Sequence, residues 1–155
     1  MPTPSIKDDT IIQAVKARFA AIVTTAGNYF YNYPKVYDVI AGRSAIPENV
    51  TRAINIRDVS DEFLQESSES SDSLHDIRLN LEIDILVRNH SASDLRKIKA
   101  DLLKSIGTDL KWGGLAFNTV YLNSQRNRRD AYGEVISDLT ISIEIYYRKT
   151  AWSVS

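Results

Sequence analysis

Two stretches of strict two-residue alternation limit what this chain can fold into. In HDIRLNLEIDILVRN (residues 75–89), Ile77, Leu79, Leu81, Ile83, Ile85 and Val87 alternate with Arg78, Asn80, Glu82, Asp84, Leu86 and Arg88. A spacing of two puts the first set on one face of a β-strand and the second on the other. In GEVISDLTISIEIYYRK (residues 133–149), Val135, Leu139, Ile141, Ile143, Ile145 and Tyr147 repeat the pattern, with Ser137 as the exception. At about 3.3 Å per residue, twelve residues of strand run roughly 40 Å, about twice a common strand. Two such strands are expected to be antiparallel neighbours, one wall of a single sheet.

A wall with one apolar face needs a cover, and two helical stripes supply it. Ile11, Val15, Phe19 and Ile22 recur at helical spacing, with Asp8, Asp9 or Thr10 as cap and Gly27-Asn28 as the stop. Ser91 or Ser93 opens a second helix with the stripe Leu95, Ile98, Leu102 and Ile106, closed by Gly107. Residues 77, 79, 81, 83 and 85 are therefore expected to pack on Val15, Phe19, Leu95, Ile98 and Leu102. Shorter strands are expected over residues 36–40, 51–59 and 115–123. The pattern predicts one α+β domain over residues 1–155, a mainly antiparallel sheet with two amphipathic helices on one face. A chain of 155 residues is long enough to bury such a core.

No apolar run approaches a membrane span, and the N-terminal MPTPSIKDDT has acids and no apolar signal core, so no membrane and no secretion are expected. The absence of cysteine excludes disulfides and thiolate chemistry. The net charge of −1 hides an uneven distribution. Asp58, Asp61, Glu62, Glu66, Glu69, Asp72 and Asp76 fall in a window with no Lys or Arg, which leaves the rest of the chain net positive. Residues 60–74, polar and serine-rich, read as a flexible acidic loop. Residues 123–132 read as a basic loop.

Catalysis needs convergent groups, and few present themselves. His75 and His90 lie at opposite ends of one strand, about 50 Å apart if extended, too far to share a metal or a proton. Glu82 and Asp84, two apart on one strand face, could form a carboxylate pair, but alternating acids are the common dress of a wet sheet face. Gly113-Gly114 lacks the Lys and Ser/Thr of a phosphate loop and reads as a tight turn. No catalytic, cofactor-binding or metal-ligating residue is assigned, and the chain is not expected to be an enzyme.

Two clusters suit binding instead. Arg126, Arg128 and Arg129, beside Asn123, Gln125 and Asn127, could grip phosphate or a protein carboxylate. Tyr29, Tyr31, Tyr33 and Tyr37 fall within nine residues, and tyrosine favours half-buried surfaces.

The order of these segments resembles the tail terminator (tail completion) proteins of tailed bacteriophages. The likeness rests on IIQAVKARFAAI running into YFYNYPKVYDV, on IPENVTRAINIRD before the acidic stretch, and on LNLEIDILVRN, LRKIKADLLKSIG and VISDLTISIEIYYRK. It covers residues 11–149. The resemblance implies a structural virion protein at the neck-proximal end of the tail, assembled in the host cytoplasm. Such a protein forms a homo-hexameric ring that caps the tail tube and meets neck or head-completion proteins, and in contractile tails the sheath. DNA passes through its hole without specific binding. Under that reading Tyr29, Tyr31, Tyr33, Asp61, Glu62, Glu66, Glu69, Arg126, Arg128 and Arg129 are interface candidates. Glu82, Asp84, Asp138 and Glu144 are candidates to face the lumen, where like charge would keep DNA from sticking. The alternatives are a head-tail neck or stopper protein and, in a different class, a small nucleic-acid-binding protein using residues 126–129.

Overall fold

The structure, a computed structural model, describes residues 6–25, 27–42, 50–66, 74–89, 91–131 and 134–150. Its elements run α1 (Lys7–Ala20), α2 (Tyr33–Val36), β1 (Asp38–Ala41), β2 (Arg52–Glu66), β3 (Leu74–Arg88), α3 (Ala92–Gly107), β4 (Asn118–Ala131) and β5 (Glu134–Thr150). The five strands form one mixed sheet in the order β1-β2-β3-β5-β4. Among the described strands only the short β1–β2 pair is parallel. The fold is α+β with a mostly antiparallel sheet, as the sequence predicts.

The two alternating stretches are the central pair. β3 and β5 run antiparallel in unbroken register from Leu74 opposite Thr150 to Arg88 opposite Ile136. Along β3 buried and half-buried residues alternate from Ile77 to Arg88, so the two-residue period translates directly into one dry face. That face joins Ile11, Val15 and Phe19 of α1 and Leu95, Ile98 and Leu102 of α3 in one hydrophobic cluster. α1 lies over β1 and β2, α3 over β5, and the helices touch each other.

The helix ends follow local chemistry. Ser91 caps α3: its Oγ accepts from the Asp94 N–H, while the Asp94 carboxylate accepts from the Ser91 N–H. This reciprocal box satisfies two amides that the helix leaves open. α1 departs from expectation at both ends. Its N-cap is Ile6 rather than Asp8, Asp9 or Thr10, and the two aspartates occupy the first turn, where carboxylates favour the helix dipole. It ends at Ala20, well before Gly27-Asn28, because the Ile22 carbonyl instead accepts from Tyr33 N–H and turns the chain. Gly27 and Asn28 form a later turn, with φ of +84° and +58°.

Two expected loops are strands. β2 continues through Glu66, so residues 60–66 are sheet, and Leu74 at the other end of the predicted acidic loop opens β3; residues 67–73 lie outside the described residues. The ladder is held by backbone pairing and by polar cross-strand contacts, Asn80 to Ser60, Arg78 to Glu62 and Gln65 to Asp76. A strand exposed on both faces has no hydrophobic period, which is why the composition reads as loop. β4 likewise runs through Ala131, with Arg126, Arg128 and Arg129 opposite Leu139, Ser137 and Ile136 of β5. The expected strands over residues 51–59 and 115–123 were therefore too short, and the first short strand is Asp38–Ala41 rather than residues 36–40. Among the described residues no helix is long and apolar enough to cross a membrane.

Candidate functional site

The tyrosine segment is organised by one buried carboxylate. Asp101 is 2% exposed and sits on the buried stripe of α3. Its oxygens accept from the Phe30 and Tyr31 N–H groups at 2.9 and 3.1 Å and from the Tyr33 hydroxyl at 3.2 Å. Burial pushes its pKa up from the ordinary carboxylate range, against those three hydrogen bonds. Tyr33 is wholly buried and stacks on Tyr37, ring centroids 4.5 Å apart. It is therefore core and not an interface residue, a correction forced by its hydroxyl having a buried partner to reach. Tyr31 is half-buried, donates to Asp94 Oδ1 at 2.9 Å, and is pushed up to about 12 by desolvation and that carboxylate. Tyr29 is half-buried beneath Lys104, whose Nζ lies 5.2 Å from its ring centroid. The exposed aromatic of this segment is Phe30, which the sequence reading passed over. Asp101 was missed too; its signal was a carboxylate three residues after Ile98, inside an apolar stripe.

The four candidate lumen residues lie on the sheet face away from the helices, but not as bare negative charge. Arg57 donates through Nε to Asp84 Oδ2 at 2.5 Å and through Nη2 to Glu82. Its pKa is raised, chiefly by the bond to Asp84. Thr140 Oγ1 donates to the other oxygen of Asp84 at 2.8 Å. Arg78 bridges Glu62 and Glu144, the latter at 3.7 Å, and Glu144 also accepts from the Tyr146 hydroxyl at 2.6 Å. Asp138 is half-buried opposite Leu86 and Asn127. Asp76, 4% exposed, is gripped at both oxygens by Arg148 at 2.6 and 3.2 Å. Glu82, Asp84, Glu144 and Asp76 thus each meet an arginine. From the sequence Arg78 is legible only as part of the strand's polar face, and Arg57 and Arg148 are not legible as partners of these acids.

The remaining candidates occupy the two outer strands. On β2 every residue from Asp58 to Gln65 is exposed, including Asp61, Glu62 and the apolar Val59, Phe63 and Leu64. His75 meets the Phe63 ring edge-on, with centroids 4.9 Å apart. Glu66 ends the strand; Glu69 and His90 lie outside the described residues. On β4, Arg126 is exposed and lines a notch of about 200 Å³ with Arg96 and Lys99 of α3, Ser124, Leu95 and Leu139. Lys99 Nζ donates to Ser124 Oγ at 3.3 Å, tying helix to strand. Arg128 and Arg129 continue the strand, their side chains outside the described set. The structure thus separates the acidic and basic candidates onto opposite edges of one sheet and brings Arg96 and Lys99 to the basic one. Gly113 and Gly114, with φ of +69° and +91°, form the expected tight turn.

No protein-family model matches this chain, and no curated protein is significantly similar to it.

Proposed function

We propose that this chain is a structural protein of the phage virion, a tail terminator whose copies form a ring that caps the tail tube and meets the neck. The observation that carries this reading is an uncovered stretch of the sheet. β3 and β5 bury one face from Ile77 to Val87 and from Leu139 to Tyr147, whereas β2 stays exposed on both faces from Asp58 to Gln65 while keeping apolar Val59, Phe63 and Leu64. A strand that gains nothing from its own core is built for a neighbour. The supporting observation is that four carboxylates of the sheet and α3 are occupied structurally: Glu82 and Asp84 by Arg57, Asp76 by Arg148, Asp101 by the tyrosine segment. A neck or stopper ring would use the same surfaces.

A second reading, nucleic-acid binding, has one observation in its favour: Arg96, Lys99 and Arg126 share a notch. The two classes separate in one experiment. Native mass spectrometry of the protein, alone and with purified tail tubes, should give a hexamer or tube ends capped under the electron microscope. A monomer that leaves tube ends bare and binds short DNA with steep salt dependence would replace the ring with the second reading.

A further inference from the structure

Resting on the ring reading, we propose that successive copies join head to tail by antiparallel pairing of the β2 edge of one copy with the β4 edge of the next. The acidic strand would lie along the Arg96–Lys99–Arg126 notch. Among the described residues both edges have a length without a neighbouring strand. β1 covers residues 53–56 of β2, and among the described residues no strand lies outside β2 beyond that point. β4 is the other end of the sheet and has no described strand on its outer side. Open edges are templates for another strand, and both carry exposed apolar groups a partner would cover: Phe63 and Leu64 on β2, Tyr121 and Leu122 on β4.

Charge selects which edges meet. The open stretch of β2 bears Asp58 and Asp61, with Glu62 already bridged by Arg78 of β3 and no cation of its own, whereas β4 has Arg126, Arg128 and Arg129 with Arg96 and Lys99 alongside. Two β2 edges repel each other, and so do two β4 edges; only the unlike pair attracts. That rules against a two-fold dimer and for a head-to-tail repeat. Strand direction agrees. β2 runs parallel to β5 through β3, and β4 runs opposite to β5, so in a rotationally repeated sheet β4 meets the next β2 antiparallel.

The side-chain faces agree as well. Asp61 stands opposite buried Leu79, and Arg126 opposite buried Leu139, so both lie on the helix-covered side. Setting Asp61 against Arg126 puts its carboxylate at the mouth of the notch, where an arginine fork can hold two oxygens. Within one copy, Asp61 shares its row with Leu79, Ile145 and Thr119, seven residues before Arg126. Each copy therefore steps along the strands by roughly 20 Å, against a width of about 19 Å for four strands. A ring closes under such a stagger when its strands tilt on the order of 45°, as in closed barrels.

The chain has no cysteine, so a pair can be introduced cleanly. In the variant carrying Asp61→Cys and Arg126→Cys, a short bismaleimide should link copies into a ladder reaching ring size on a denaturing gel. Each single variant should stay unlinked. Asp61→Arg and Arg126→Glu should each weaken assembly by at least about tenfold in sedimentation, and the double reversal should restore it. Assembly is followed in solution and on tube ends. If the wild type assembles but the cysteine pair does not link, or the double reversal does no better than the singles, the edge contact is wrong and the ring uses another surface. If the wild type assembles in neither setting, the ring reading falls with it.

Discussion

The guanidinium carbon of Arg18 lies 3.7 Å from the ring centroid of Trp112. The same side chain donates to the Asp109 carbonyl at 2.6 Å and faces the Asp109 carboxylate at 3.5 Å. One residue of α1 thereby fixes the turn that leads from α3 into β4, and so the position of the basic edge.

Arg18→Lys should loosen that turn. A lysine keeps the charge but loses the planar stack and the fork of donors. We expect a loss of about 1–2 kcal/mol, read by urea unfolding, with a shift in tryptophan emission. An unchanged midpoint would mean that the stack contributes no stability.

Asp109 predicts a pH signature. Its pKa is held below 3.8, first by the Gly113 and Lys111 N–H groups and also by Arg18. A depressed carboxylate stabilises the fold above its unfolded pKa and loses that effect as pH falls through the folded one. The stability gap between wild type and Asp109→Ala should be constant near neutrality and narrow below about pH 4. A gap flat down to pH 2 would contradict the assignment.

Asp101 predicts the opposite trend. Its raised pKa means the folded state holds the proton more tightly, so its contribution is full at acid pH and declines as pH rises through the folded value. Asp101→Asn replaces an acceptor with a donor facing the backbone N–H groups of the tyrosine segment. The cost should be about 1–3 kcal/mol, largest in acid, checked by thermal melts across pH.

Leu81 is 1% exposed at the centre of β3. Leu81→Ala should cost about 2–5 kcal/mol, measured by chemical denaturation. An unchanged midpoint would place it outside the core.

Changing Arg126, Arg128 and Arg129 together to Ser should leave the melting temperature close to wild type and weaken assembly, most of all at low salt, where the charge attraction is least screened. Electron microscopy of tube ends is the check. Capping as efficient as wild type at low and high salt would remove the basic strand from the interface.

The central sheet was legible because half of each strand is buried. A one-residue period error would have put Glu82 and Asp84 in the core, so the pattern admits one reading. Ser91 was legible as a cap because its chemistry is local. The end of β2 was not, since a strand that buries neither face shows no periodicity, and residues 58–65 are exposed at every position. Tyr33 was misjudged for the opposite reason. Its polar tip suggested surface, but a buried Asp101, 68 residues away in sequence, answers the hydroxyl. Arg57 and Arg78 were invisible as partners because cross-strand neighbours depend on register.

The order β1-β2-β3-β5-β4 places the last described strand in the interior of the sheet. During synthesis β3 therefore leaves the ribosome long before β5, the strand that completes it, and among the described strands β4 has none to pair with until β5 emerges. Folding is thus a late event, governed by a ladder whose partners lie about 60 residues apart. A chain truncated within β5 would not lose a terminus; it would split the sheet in two and strand the basic edge away from the rest of the protein.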